Sequence, residues 1–95
     1  MARISMGTTS LADTNATQIS NTKDRVKSIV VKARAGNTAN VVFGISTLTT
    51  SAGWELQPGE SSPALDYKDG SVTFDQFYLR TGTATQEVDH IAELL

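Results

Sequence analysis

The chain contains no cysteine, so disulfides, zinc–thiolate sites and cysteine nucleophiles are excluded together. It has one histidine, His90, and therefore no second imidazole at metal-ligand spacing. No stretch approaches the ~18 apolar residues of a membrane span. The opening MARISMGTTS lacks the apolar centre of a secretory signal, so none is expected. Disulfide-free proteins occur inside and outside cells, so the compartment stays open. Proline occurs only at Pro58 and Pro63, and the only tryptophan is Trp54, all within the stretch WELQPGESSP. Catalytic signatures are missing as well. There is no G-x-S-x-G elbow. The loop GNTAN has one glycine and no lysine, unlike a phosphate loop. DYKDG lacks the alternating oxygen ligands and terminal glutamate of a calcium loop and reads as a turn. The sequence therefore predicts no catalytic residue, no metal and no cofactor.

What is abundant is threonine and serine: 13 and 9, or 22 of 95 residues. Threonine favours strands and serine favours turns, and the helix formers show no 3.6-residue period before the last few residues. A chain of 95 residues makes one domain with a thin core, burying only about 60–65% of the surface its unfolded form exposes. The expected class is all-β: a small antiparallel β-sandwich or jelly-roll-like domain of about seven short strands.

The net charge of −2 hides an asymmetry. Residues 1–35 carry six cations against Asp13 and Asp24, and residues 36–95 carry Lys68 and Arg80 against eight carboxylates. Six dispersed cations beside an acidic half do not make the concentrated basic face that nucleic acid requires. Two readings remain open: a self-complementary assembly, basic end against acidic face, or ordinary solvated strand faces.

Residues 1–25 hold Ile4, Met6, Leu11 and Ile19 as isolated apolar positions in a polar background. Such a segment cannot bury enough to order itself. It is expected to be an arm that orders on a partner through Arg3 and those four side chains, with 26–95 as the folded domain. From Val26 the pattern sharpens. Ile29, Val31, Ala33 and Ala35 alternate with Val30, Lys32 and Arg34; GNTAN follows; then Val41, Phe43 and Ile45 alternate with Val42, Gly44 and Ser46. These strands are expected to form a hairpin, with Gly44 marking a bulge or a close neighbour. Pro58 and Gly59 occupy the positions a type II turn demands, and Gly70 ends the turn KDG. The phase slip at Asp75-Gln76 predicts a bulge or turn. QEVDHIAELL admits strand or helix, and the need to close a sheet favours strand. His90 is expected at an edge or surface. Trp54 is expected in the core or at a subunit contact, and Tyr78, out of phase with Phe77 and Leu79, as an outward ring.

The order of these pieces resembles small β-sandwich virion proteins of tailed bacteriophages. Val42, Gly44, Ser46, Gly53, Leu56, Pro58, Gly59, Glu60 and Ser61 carry the likeness, then Phe77, Tyr78 and Leu79. It covers roughly residues 26–95. L-x-P-G-E also occurs in cupins and bacterial immunoglobulin-like domains, and the single histidine speaks against a metal cupin. The resemblance implies a non-enzymatic virion role: a capsid decoration (cement) protein, or a neck, tail or fibre accessory. It implies binding to the major capsid protein or another virion protein, a homo-oligomer, manufacture in the bacterial cytoplasm, and no nucleic-acid or membrane partner. A carbohydrate- or receptor-binding module using Trp54, Tyr67 or Tyr78 is the alternative.

Overall fold

The computed structural model describes residues 3–44, 53–67 and 72–95. Among them are eight strands: β1 (Arg3–Leu11), β2 (Thr17–Gln18), β3 (Val26–Ala33), β4 (Val41–Gly44), β5 (Trp54–Leu56), β6 (Leu65–Asp66), β7 (Tyr78–Thr81) and β8 (Gln86–Leu94). They form two four-stranded antiparallel sheets, in the orders β1-β8-β3-β6 and β2-β7-β4-β5. The all-β class expected from composition is what the chain adopts. One apolar cluster draws on both sheets: Leu11, Val26, Ile29, Val31, Ala33, Val88 and Ala92 from the first, Val41, Phe43, Leu56 and Leu79 from the second. Phe74 and Phe77 join it from the segment before β7, where a 3-10 turn (Phe74–Gln76) accounts for the phase slip.

The alternation in β3 and β8 shows directly in burial. Ile29, Val31 and Ala33 are fully buried, as are Val88 and Ala92 on the neighbouring strand, while Lys27 and Lys32 face solvent. QEVDHIAELL is a strand with Val88, His90, Ala92 and Leu94 on one face, because β8 lies between β1 and β3 and is laddered to both.

Three expectations need correction. The segment Arg3–Leu11 is not an arm laid on a partner but a nine-residue strand in the chain's own sheet, in unbroken register from Arg3↔Leu94 to Leu11↔Gln86. Its backbone bonds to β8 supply the order that its sparse apolar side chains cannot, and Leu11 is fully buried. Second, β3 and β4 do not form a hairpin. β3 pairs with β8 and β6, and β4 with β5 and β7, so the loop between them steps from one sheet to the other. Both strands have an apolar face to bury, and in different sheets both contribute to the same core cluster. Third, of the two options for Gly44 the bulge is not found: it pairs regularly with Tyr78, and the register shift lies between Val26 and Ser28.

The stepping loop still needs partners for its backbone, and Gln86 provides them. This fully buried side chain accepts from Thr38 N (2.8 Å) and Ala39 N (3.2 Å) through Oε1, and its Nε2 donates to Thr38 Oγ1 (2.9 Å) and Thr83 O (3.2 Å). Beside it, Asn37 mimics a strand residue. Its Nδ2 donates to Glu87 O (2.9 Å) and its Oδ1 accepts from Glu87 N (2.8 Å). WELQPGESSP makes a second step. Glu60 N donates to Gln57 O (2.9 Å), and Gly59 has φ +86°, the left-handed region a type II turn needs at that position. Past the turn the backbone runs beside β3, with Gly59 N donating to Ala33 O (2.9 Å) and Ser62 N to Val31 O (2.7 Å).

In urea unfolding, Leu11→Ala is expected to cost about 2–5 kcal/mol, from lost burial plus the cavity left behind. Gln86→Ala should cost about 1–3 kcal/mol by emptying a buried site and leaving the part-buried amides of Thr38 and Ala39 without their partner. Met6→Ala, on the solvent face of the same strand, should stay within about 0.5 kcal/mol.

Candidate interaction surfaces

The first surface is the outward face of the first sheet. Along β1, Ile4, Met6 and Thr8 point away from the core, as their ladder partners Glu93, Ile91 and Asp89 do on β8. Met6 lies directly opposite Ile91, and Ile91 directly opposite Val30 of β3. A cross-strand row of three apolar side chains therefore runs to the free edge of the sheet. Met6 is 70% exposed, Ile4 56% and Ile91 55%.

Ion pairs frame this row. On one side Thr8 Oγ1 donates to Asp89 Oδ1 (2.6 Å) and accepts from Arg34 Nη2 (3.1 Å), and Arg34 Nε reaches both Asp89 oxygens at 3.1 Å. The Thr8 hydroxyl, then Arg34, hold the Asp89 carboxyl below the usual carboxylate range, and Asp89 raises Arg34 in return. On the other side Lys27 pairs with Glu93 (3.2 Å). Among the described residues there are five ion pairs, and four of them, Lys23–Asp75, Lys27–Glu93, Arg34–Glu87 and Arg34–Asp89, join a cation of residues 1–35 to a carboxylate of residues 36–95. Much of the charge asymmetry is thus matched inside one chain.

The second surface is an aromatic cleft of about 90 Å3 between the sheets, lined by Phe43, Trp54, Pro63, Leu65, Tyr67 and Phe77 among others. Trp54 sits opposite Phe43 and two residues from the buried Leu56, so its ring belongs to the core-facing side of β5. The strand lies at the edge of its sheet, and the ring remains 53% exposed. Phe77 stacks on Phe43 (centroids 5.7 Å apart, planes at 22°) and meets Tyr67 at 5.8 Å. Phe43, Phe77 and Tyr67 thus form a packed aromatic group, and Trp54 is the exposed ring beside it.

The residues expected to bind a partner separate into different environments. Leu11 is in the core, and Ile19 packs against it, with its backbone N–H on Phe77 O (3.1 Å). Ile4 and Met6 are exposed. Arg3 is engaged at home, with Nη1 on Asp24 (3.4 Å) and Nη2 donating to Leu95 O (2.6 Å). Tyr78, paired with Gln18 and Gly44, is half-buried on the outward face of the second sheet and does not line the Trp54 cleft. Gly70 lies outside the described residues. Sequence reasoning put Val30 on the outer face of its strand with Lys32 and Arg34, and named neither Val30 nor Ile91 as a contact residue. The available signal was Ile91 in phase with Asp89 and Glu93, an apolar side chain on an acidic face.

His90 is not the surface residue expected. It faces inward, edge-on to Phe74 (centroids 5.5 Å), and pairs with Gly7, where a Cβ would meet its Cε1 at 3.3 Å. Both ring nitrogens are buried without a hydrogen-bond partner among the described residues. Among those residues no group of three His, Cys, Asp or Glu side chains converges as a metal site. No helix among them is long and apolar enough to cross a membrane. No family model matches the chain, and neither a curated protein nor a solved structure does.

Burial lowers the His90 pKa below its usual 6.5, and Asp89 opposes the shift. The unfolded chain therefore takes up this proton first, so stability is highest above pH 6.5 and declines as pH falls through it. Asp75 and Asp89, also depressed, act in a separate window below 3.8. Comparing unfolding free energies at about pH 7.5 and about pH 5 should show a loss for the native chain. The loss should be smaller in His90→Phe.

Proposed function

We propose that the chain is a non-enzymatic structural component of a tailed-phage particle, a capsid decoration protein that seats on the assembled head at subunit junctions and stabilises it. In this reading the two sheets are the layers of a small β-sandwich. The row Met6–Ile91–Val30 supports it most directly: apolar side chains on an outward face, framed by ion pairs, suit contact with protein rather than conversion of a substrate. The likeness of residues 26–95 to small phage β-sandwich proteins supplies the context, with a neck, tail or fibre position as the nearby variant. The N-terminal segment takes a different part from the one its sequence suggests. It offers a strand edge and the side chains of Ile4 and Met6, while Leu11 and Ile19 hold it to the domain. Each contact with a head subunit can be weak, because many copies on one lattice raise the effective affinity.

A second reading is favoured by one observation, the cleft beside Trp54. An exposed indole next to Tyr67 and Pro63 gives a sugar ring an apolar platform, as in a carbohydrate- or receptor-binding module.

Mass spectrometry of purified particles from the strain that encodes the chain tests the first reading. The chain should be present in many copies per particle, and its deletion should lower the temperature at which heads release DNA. Particles without it would end that reading. A glycan array with the native chain and Trp54→Ala tests the second. It requires hits that the substitution abolishes, and no hits at millimolar glycan removes it.

A further inference from the structure

Each sheet has two edges, and β1 is the long one. The other edge strands, β2, β5 and β6, span two or three residues, whereas β1 spans nine. Natural edges of that length are usually blunted by lysine, proline or a bulge. Ser5–Leu11 carries no charge and no proline, and its register with β8 is unbroken.

We propose that β1 pairs antiparallel with β1 of a second copy across a two-fold axis at Met6, joining the first sheets of two chains into one eight-stranded sheet. This inference rests on reading the outward row as an assembly surface, not on the virion reading. Three features of β1 make it complementary to itself. On the outward face the row Val30–Ile91–Met6 would continue into the second copy's Met6, Ile91 and Val30, covering the most exposed large apolar side chain among the described residues. On the inward face Ser5 would meet the second copy's Gly7, and two small residues leave room beneath the joined strands. On the outward face the β1 strands bring only uncharged side chains together, since Ile4 would lie opposite the second copy's Thr8. The carboxylates of β8 in the two copies would stand three strand spacings apart, about 14 Å. That exceeds the screening length of about 8 Å, so their repulsion is slight. An isologous contact of this kind uses up the edge in both copies and closes as a dimer rather than growing into a fibre.

Light scattering of the full chain across a dilution series should give a mass approaching twice 10.1 kDa at high concentration. Met6→Lys places two ammonium groups against each other on the axis. It should give a single-chain mass with an unchanged circular-dichroism melt at low concentration. In this cysteine-free chain, Met6→Cys should crosslink to a dimer with a short bis-maleimide, whereas Ala35→Cys, on an exposed loop, should not. The crosslink reads the contact even if the lysine variant folds poorly. A single-chain mass at the highest concentration would overturn the proposal. So would a dimer that survives Met6→Lys, or one that crosslinks no better from position 6 than from position 35. Particle proteomics and solution mass are independent, so failure of the virion reading leaves this test intact.

Discussion

Strand β8 is laddered on both sides, and the first sheet is arranged around it. On one edge it holds β1 from Arg3 to Leu11, on the other β3 from Val26 to Ala33. It therefore ties the two ends of the chain together, with Arg3 reaching the Leu95 carbonyl and Leu95 N donating to Arg25 O (2.9 Å). Its first residue, Gln86, closes two loops that would otherwise leave amides without partners. In a domain with so thin a core, a polar side chain at the centre of four hydrogen bonds does as much to fix the fold as an apolar one. The pattern is also highly non-local. Of the seven connections between successive strands of the described residues, only β4 to β5 joins neighbours in one sheet, as the sheet orders show. Such topologies close long loops before contacts reward them, so they fold slowly.

The same arrangement accounts for the charges. A basic first third and an acidic remainder invite the idea of one copy docking on the next. The strand order instead brings Lys27 to Glu93 and Arg34 to Asp89 within the chain, and Lys23 to Asp75 near the 3-10 turn. Exposed pairs of this kind add little stability, but they leave less net field with which to steer a partner. Among the described residues, the apolar side chains open to contact include the Met6–Ile91–Val30 row and the Trp54 ring. Both lie where a strand edge meets solvent, the place where a small β-domain can add a partner without unfolding anything.

The strands were legible where one face is buried. Ile29, Val31 and Ala33 alternate cleanly, Pro58-Gly59 sits at its turn, and QEVDHIAELL is a strand. Two things were not legible. One was partnership. A Gly/Asn loop between two apolar strands has the same local chemistry whether the strands pair or cross between sheets, and the residues that hold the crossing, Gln86 and Glu87, lie almost fifty residues away. The other was β1. Its apolar residues Ile4 and Met6 point outward, and before Leu11 its inward face is Ser5, Gly7 and Thr9, the reverse of a half-buried strand. Order there comes from backbone pairing, which period-2 hydrophobicity does not record. WELQPGESSP gathers the tryptophan, two acids and both prolines, and its Pro58-Gly59 pair reads as a turn. Its turn is a step between sheets with Glu60 bonded to Gln57 N (2.9 Å), and Trp54 is its one large apolar side chain left exposed.

Amide hydrogen exchange along β1, read residue by residue at low and high protein concentration, tests the central claim that this segment is a strand of the domain with one edge open. At low concentration protection should alternate, with amides directed at β8 slow and those directed outward fast. At high concentration the outward amides of Arg3–Thr9 should slow as well, through pairing with a second copy. Fast exchange of every β1 amide at both concentrations would contradict the account, since it would make residues 3–11 an unpaired arm after all.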